Sequence, residues 1–166
     1  MKNFIGLFFL LWILFIPSLY SQSVFDKNRL EFGGIFGASF GNKTTSVKIS
    51  PQVGYAFTDN FSAGLGVGYI YYDYDNRYSE NYAGMNLYGR FRPWRYIMIQ
   101  AQPEIYRTWG DSKSEIVTCF LIGGGVVFPV GNFGGVTLSL SYDLIQNDRS
   151  PYNDKIIYSL GYTIGF

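Results

Sequence analysis

The sequence predicts an all-β fold, an eight-stranded antiparallel up-and-down barrel whose strands cross a membrane. Large apolar residues alternate with small or polar residues in about eight successive segments, a period of two that strands produce and helices do not. Aromatic residues make up 20% of the chain, whereas charged residues make up only 15%. A surface with so few charges suits hydrocarbon better than water, so we expect a transmembrane barrel.

The first 21 residues predict a secretory signal peptide, which leaves residues 22–166 for the barrel domain. Lys2 is followed by an apolar run of 13 residues and then by small residues, the pattern of an export signal. Cleavage after Ser21 and cleavage after Ser23 both satisfy this pattern. A permanent helical anchor is the alternative, but the run is shorter than the roughly 20 residues that a span requires.

The last predicted strand, residues 155–166, shows the alternation most clearly. One face is apolar or aromatic and would meet lipid; it carries Ile156, Tyr158, Leu160, Tyr162, Ile164 and Phe166. The other face is small or polar; it carries Ser159, Gly161, Thr163 and Gly165.

The same alternation predicts seven further strands upstream. With the last one, the predicted strands span residues 29–40, 46–57, 61–72, 81–92, 96–107, 115–130, 136–145 and 155–166. The connections after the second, fourth and sixth strands are tight, and the others are generally longer and polar, which predicts periplasmic turns and outer loops respectively. Pro51 and Pro103 fall inside strands, where each removes a ladder donor, so we expect bulges at both.

The inward faces carry charges of both signs. An eight-stranded barrel is just wide enough for its own side chains, and buried charges must be paired and hydrogen-bonded. We therefore predict two ionic layers that are linked by amides, and a gated ion or proton path through them is the alternative. The predicted lumen ionic network consists of Glu31, Arg90 and Arg92 near the periplasmic end and Lys48, Glu104 and Asp143 nearer the outer end. The linking amides are Asn86, Gln52, Gln100 and Gln102.

Surface binding, if the protein has any, is assigned to the outer loops. The candidate contact residues are Tyr74, Arg77 and Tyr78 in the second loop, Trp109 in the third, and Arg149 and Tyr152 in the fourth. The alternative for the aromatic residues is that they extend an interfacial girdle at the outer end of the barrel.

Composition argues against several kinds of chemistry. The chain has no histidine, which removes the commonest general base and metal ligand, and Cys119 is its single cysteine. We expect no catalytic residues, no metal and no cofactor. Of the 13 basic residues only Lys2 lies in the signal, so 12 basic residues face 12 acidic ones, which argues against a nucleic-acid partner.

Glycine is frequent on the inner face of the third predicted strand, in the run Gly64-Leu-Gly-Val-Gly68. We interpret this run as barrel wall that leaves room inside. A phosphate-binding loop is the alternative, but no helix follows and the glycine spacing differs.

The C-terminal alternation of Tyr158, Leu160, Tyr162, Ile164 and Phe166 resembles the signal by which the barrel-assembly machinery recognises outer-membrane proteins. Residues 22–166 as a whole resemble the small eight-stranded outer-membrane barrels of the OmpX and OmpA transmembrane-domain type. A Gln at the signal cleavage site is similar to exported proteins of the Bacteroidota. This resemblance implies the outer membrane of a Gram-negative bacterium. Family members act as membrane anchors, adhesion factors or narrow transporters, and their lipid A-modifying relatives depend on a His that this chain lacks.

These observations predict a monomeric, non-enzymatic outer-membrane barrel that serves as a structural or surface protein. Its partners would be the outer-membrane lipid, the assembly machinery during insertion and an unknown surface ligand. A narrow channel is one alternative. A soluble, lipocalin-like carrier is another, and it would have an apolar lumen and a polar exterior, the reverse of the faces assigned above.

Overall fold

A computed structural model describes residues 26–41, 44–74, 78–110, 114–131, 134–147, 149–152 and 156–165. The predicted signal peptide lies outside the described residues. Among the described residues, no helix is both long enough and apolar enough to span a membrane.

Eight strands form one closed antiparallel barrel, as predicted, and β1 closes the sheet by pairing with β8. The strands are β1 (Leu30–Gly41), β2 (Thr44–Ala56), β3 (Phe61–Tyr74), β4 (Tyr78–Trp94), β5 (Ile97–Gly110), β6 (Ile116–Val130), β7 (Gly134–Asp143) and β8 (Ile156–Ile164). A short 3₁₀ turn, Lys27–Arg29, precedes β1 and is capped by Asp26, whose side chain accepts a hydrogen bond from the Asn28 N–H.

The strands extend further at the outer end than predicted. Tyr74 pairs with Tyr78 at the tip of the β3–β4 hairpin, and Gly41 pairs with Thr44 at the tip of the β1–β2 hairpin. The prediction of longer outer connections is therefore wrong for the first two. Each further pair satisfies backbone groups, and tyrosine favours strands, so the hairpins continue beyond the predicted loop boundaries. The fourth outer connection, between β7 and β8, remains long.

The bulges predicted at Pro51 and Pro103 do not form. The β2–β3 register is the same at Ile49 and at Gln52, on either side of Pro51, and Pro51 keeps its pairing with β1. Pro103 likewise keeps its pairing with β6. A missing N–H weakens the ladder on one side without inserting a residue, so the register survives. The register shift that does occur lies on β4, between Phe91 and Trp94.

Side chains alternate between the lipid-facing and inner surfaces as predicted. Leu138, Leu140, Leu160 and Ile164 are between 48% and 51% exposed, whereas Gln52, Gln102 and Ser139 are buried. The exterior is apolar and the interior carries the amides and charges. This arrangement argues against the lipocalin-like alternative, which requires an apolar lumen.

Glycines on the inner wall of β3 leave room for tyrosine side chains from β4 and β5. A Cβ added to Gly68 on β3 would lie 2.5 Å from Tyr106 Oη, and one added to Gly64 would lie 2.6 Å from Tyr88 Oη. The interpretation of this run as barrel wall therefore agrees with the structure.

The outer half of the interior contains an apolar cluster above the polar lumen. Its members are Ile70, Tyr82, Tyr106, Val117, Cys119, Leu121, Tyr152 and Ile157. Tyr152 comes from the long β7–β8 connection, so part of that connection is packed inside the barrel.

Candidate functional site in the lumen and outer mouth

The lower ionic layer lies near the end of the barrel that holds the chain termini, the predicted periplasmic end, and is built by β1 and β4. Alternation turns both Arg90 and Arg92 inward from β4, toward Glu31 on β1. Arg92 Nη2 lies 3.6 Å from Glu31 Oε1. Arg90 instead donates to Gln52 Oε1, and its guanidinium carbon lies 4.1 Å from the centre of the Tyr88 ring.

The upper ionic layer joins two strands across the interior. Lys48 Nζ on β2 donates to Glu104 Oε1 on β5, and the two side chains are only 4% and 0% exposed. Gln102 Nε2 donates to the same carboxylate oxygen over 2.6 Å. A buried ion pair with an added hydrogen bond compensates part of the desolvation of both charges.

Amides occupy the space between the two layers. Gln52 Nε2 donates to Asn86 Oδ1 over 3.2 Å, and Asn86 Nδ2 donates to Ser50 Oγ over 2.9 Å. A hydrogen-bonded chain therefore runs from Arg90 toward the level of Lys48. Gln100 lies apart from this chain and donates to Ser141 Oγ over 3.1 Å.

Asp143 does not belong to the upper ionic layer, contrary to the prediction. Its Oδ1 accepts the backbone N–H groups of Phe120 and Ile145 over 2.9 and 3.1 Å, and its Oδ2 accepts the Ser150 hydroxyl over 2.8 Å. Among the described residues, no cation lies within ion-pair distance of it. Asp143 is the last residue of β7, and through the Ile145 N–H and the Ser150 hydroxyl it fixes the β7–β8 connection instead.

The segment 150–152 of that connection fills the outer mouth of the barrel, and we call it the mouth segment. Ser150, Pro151 and Tyr152 are all buried. Ser150 Oγ lies 3.5 Å from Cys119 Sγ and also accepts the Tyr152 N–H over 3.2 Å. At the preceding residue, Arg149 Nε lies 3.2 Å from Glu115 Oε2.

Tyr152 is therefore not a surface contact residue, contrary to the prediction, since it is only 1% exposed. Burial, followed by the nearby negative charge of Glu104, raises the pKa of Tyr152 well above the ordinary value for tyrosine. Three oxygens in this region are buried and make no hydrogen bond of good geometry with the described residues: Glu104 Oε2, Tyr106 Oη and Tyr152 Oη.

The other predicted contact residues lie mainly on strand ends. Trp109 was predicted in a loop but lies on β5 and faces outward, with its ring centre 6.3 Å from that of Tyr69. Tyr74 is exposed at the end of β3. Tyr78 begins β4, although its side chain is outside the described set, and Arg77 lies outside the described residues. Arg149 is exposed beside the mouth segment.

The predicted assembly signal lies on β8. Tyr158, Leu160, Tyr162 and Ile164 all face outward, and Phe166 is outside the described residues. Their recognition during assembly stays a prediction.

Sequence reasoning missed the mouth segment and its contacts with β4, β5 and β6. Alternation places Tyr82, Tyr106 and Cys119 on the strands that line the barrel. It does not show which residues from the connections pack against them. A usable signal was the aromatic Tyr152 next to Pro151 inside the longest polar connection.

At the end of the barrel that holds the chain termini, a cavity of about 380 Å³ is bounded by residues that include Asp59 and Arg92. Further inside, the remaining space is small. A cavity of about 10 Å³ is bounded by residues that include Glu31, Arg90 and Thr137. This is room for about one water molecule. Within the part of the chain that the structure describes, no group of three or more Cys, Asp and Glu residues is arranged to hold a metal ion.

Comparison with known proteins places the chain by its fold. No family model matches the sequence, and no curated protein matches it significantly. The N-terminal β-barrel domain of Pseudomonas aeruginosa OprF is 17% identical, with 84% of this chain and 98% of that chain covered and a TM-score of 0.52. The chain has the fold of a small outer-membrane β-barrel.

Two further solved structures resemble this outer-membrane barrel. A de novo designed transmembrane β-barrel is 13% identical, with 82% of this chain and 94% of that chain covered and a TM-score of 0.51. The Yersinia pestis outer membrane protein Ail is 13% identical, with 83% of this chain and 99% of that chain covered and a TM-score of 0.49. At such identities the likeness concerns the fold alone.

Proposed function

We propose that this outer-membrane barrel is a non-enzymatic, membrane-embedded structural or surface protein whose lumen does not conduct. The observation that carries the proposal is the close packing inside the barrel, where the gap beside Glu31 and Arg90 measures only about 10 Å³. An eight-stranded barrel has no room for both a side-chain network and a water column.

The contacts across the lumen support a rigid interior. An ion passing the upper layer would have to separate Lys48 from Glu104, and it would also have to displace Tyr152 from the mouth. Removing one partner from a buried ion pair costs about 3–5 kcal/mol, which makes spontaneous opening rare. A rigid, closed barrel suits an anchor that presents its outer tips.

The proposed partners are the surrounding lipid and, during insertion, the barrel-assembly machinery, and the proposed state is a monomer. The area available to a surface ligand is small, because the first two outer loops are short and Tyr152 is buried. Among the described candidates, Tyr74, Trp109 and Arg149 are exposed, and Trp109 lies on the outward face of β5.

A narrow channel is the second candidate function. It is favoured by Glu104 Oε2, which makes no hydrogen bond of good geometry with the described residues, and by the succession of charged and amide groups along the lumen. These groups could replace the hydration shell of a small cation if the mouth segment moved away.

Single-channel recording in planar bilayers separates the two candidates. We expect the wild-type protein to give silent bilayers, with folding verified by the change in gel mobility on boiling. A conductance that Glu104→Gln or Arg90→Ala alters, and that the surface variant Glu115→Gln leaves unchanged, contradicts the closed-lumen proposal. Recovery of the protein in a soluble fraction without detergent contradicts the membrane location.

The proposed recognition by the assembly machinery has its own test. Phe166→Ser should reduce the amount of barrel inserted in cells, while refolding of the purified variant into detergent stays at the wild-type yield. Equal insertion of both proteins in cells would exclude a role for Phe166 in recognition.

A further inference from the structure

A polar patch interrupts the apolar belt on the lipid-facing wall near the outer end. It consists of Tyr69, Asn81, Arg107 and Trp109 around Ala83, and we call it the interfacial patch. Arg107 and Trp109 both face outward, because they alternate along β5 with the buried Tyr106 and Thr108.

The register of β3, β4 and β5 brings these side chains together. Ala83 stands opposite Tyr69 on one side and opposite Arg107 on the other. Its small side chain leaves a depression between them. Asn81 stands opposite Trp109 one step higher, and the Tyr69 and Trp109 rings lie 6.3 Å apart.

Two hydrogen-bond donors of the patch are available to a ligand. Arg107 Nε donates to Ser114 Oγ over 3.0 Å, and no carboxylate among the described residues forms an ion pair with this guanidinium. Asn81 uses its Oδ1 to accept from Tyr69 Oη over 2.6 Å, and its N–H₂ group donates to none of the described residues. The patch therefore presents one uncompensated positive charge beside an amide donor.

The height of the patch suggests the ligand. Trp and Tyr side chains on membrane barrels gather at the level of the lipid headgroups, so Trp109 and Tyr69 mark that level. Arg is suited to phosphate, because its planar guanidinium donates two parallel hydrogen bonds. Below Ala83, the wall continues with the exposed apolar residues Met85 and Ile105.

We propose that the interfacial patch binds the phosphate group of an anionic lipid in the outer leaflet. Arg107 and the Asn81 amide hold the phosphate, Trp109 and Tyr69 border it, and an acyl chain lies along Met85 and Ile105. This site rests on the proposed membrane location of the barrel. The site would give the barrel a preference for lipids with an anionic phosphate headgroup over other lipids.

Quenching of Trp109 by brominated lipid tests the site directly. The chain contains three tryptophans, so replacing Trp12 and Trp94 with Phe leaves Trp109 as the reporter. The protein is placed in phosphatidylcholine vesicles that contain brominated phosphatidylcholine or brominated phosphatidic acid. We expect phosphatidic acid to associate about fivefold more strongly at Trp109, as one basic residue near the headgroups predicts.

The matched variants separate a specific site from general charge. Arg107→Gln should abolish the preference for phosphatidic acid, and Arg107→Lys should retain part of it because the charge stays but the paired donors are lost. Arg95→Gln, an exposed arginine in the turn at the opposite end, should leave the preference unchanged. Folding of each variant is verified by its gel mobility before and after boiling.

Two results overturn the proposed site. One is equal quenching of wild-type Trp109 by the two brominated lipids, and the other is an unchanged preference in Arg107→Gln. A different result, no quenching of Trp109 by either lipid, contradicts the membrane location itself and so distinguishes failure of the proposed function from failure of the site.

Discussion

Lys48 Nζ lies 5.7 Å from the centre of the Tyr152 ring, so the mouth segment rests directly on the upper ionic layer of the lumen. The same ammonium group donates to Glu104 on the opposite wall. Lys48 therefore takes part both in closing the outer mouth, through Tyr152, and in the buried ion pair with Glu104. A change in either should therefore alter the other.

Removing one partner of the buried ion pair should destabilise the barrel more than removing both. Lys48→Met leaves the Glu104 carboxylate buried without its cation and should lower the free energy of unfolding by about 3–5 kcal/mol. The double variant Lys48→Met with Glu104→Leu should recover most of this loss. Urea unfolding in lipid vesicles, followed by tryptophan fluorescence, measures both. Glu115→Gln, which removes an exposed pair with Arg149, should change the value by less than about 1 kcal/mol, and simple additivity of the two lumen substitutions would contradict the pairing.

Cys119 should report on opening of the outer mouth. It is the single cysteine of the chain, and it is buried beside Ser150. Ser150→Ala removes the hydrogen bond to the Asp143 carboxylate, and such bonds contribute about 1.5–3 kcal/mol. A membrane-impermeant maleimide should then label Cys119 at least about tenfold faster than in the wild-type protein. Tyr74→Ala at the exposed hairpin tip is the matched control, and equal labelling rates in Ser150→Ala and wild type would show that the mouth segment does not guard Cys119.

Tyr152 should make stability depend on pH only in alkaline solution. The unfolded phenol ionises near 10.0, whereas burial raises the pKa of the folded phenol well above that value. Above that pH the unfolded state binds fewer protons, so its stability relative to the folded state increases. This residue should lower the unfolding free energy by up to about 1.4 kcal/mol per pH unit there, and it should have no effect near neutrality.

Tyr152→Phe provides the comparison for that pH dependence. The variant should be close to the wild type in stability at neutral pH, because the phenol is uncharged there in both the folded and the unfolded state. Its unfolding free energy should decline less steeply above pH 10, measured by urea titration at successive pH values. Parallel curves for the two proteins would contradict the burial of this hydroxyl.

The inner glycine at Gly68 should be sensitive to the size of the facing ring. An added Cβ would lie 2.5 Å from Tyr106 Oη and 3.0 Å from Tyr106 Cε1, so Tyr106 must shift. Gly68→Ala should destabilise the barrel by about 1–3 kcal/mol, and adding Tyr106→Phe should recover part of this. Gly89→Ala, where the nearest atom would be 3.8 Å away on Phe61, should be neutral. The temperature at which the folded gel band disappears measures all three, and equal losses for Gly68→Ala and Gly89→Ala would contradict the contact.

Alternation was sufficient to predict the strand number and the two faces of the sheet. A slip of one residue would turn Leu138 and Leu140 inward and Ser139 toward lipid, so the pattern permits one arrangement only. The partners of the inward residues were less accessible. Lys48 and Glu104 come from β2 and β5, and which charges meet across the lumen depends on the stagger of the strands. Asp143 illustrates this, because its carboxylate accepts hydrogen bonds from the backbone N–H groups of Phe120 and Ile145 and does not pair with a cation among the described residues.

The connections were the least predictable part. Polar composition suggested that residues 73–80 form a loop, yet Asp73 pairs with Ser79 and the hairpin continues. Conversely, the polar β7–β8 connection conceals Tyr152, which packs on residues from three strands. Backbone pairing extends the hairpin, and tertiary packing buries Tyr152. The polar composition of the two segments indicates neither outcome.

The pairing of Phe32 with Ile164 joins the first strand to the last, so the barrel has no free edge only after its final strand has arrived. Any earlier intermediate would expose two unpaired edges, each of which costs several kcal/mol per backbone group in hydrocarbon. A partly folded barrel with open edges should therefore not accumulate inside the bilayer. The chain's passage from water to lipid has to be close to all-or-none, and the slow step should be the long-range encounter of its two terminal strands.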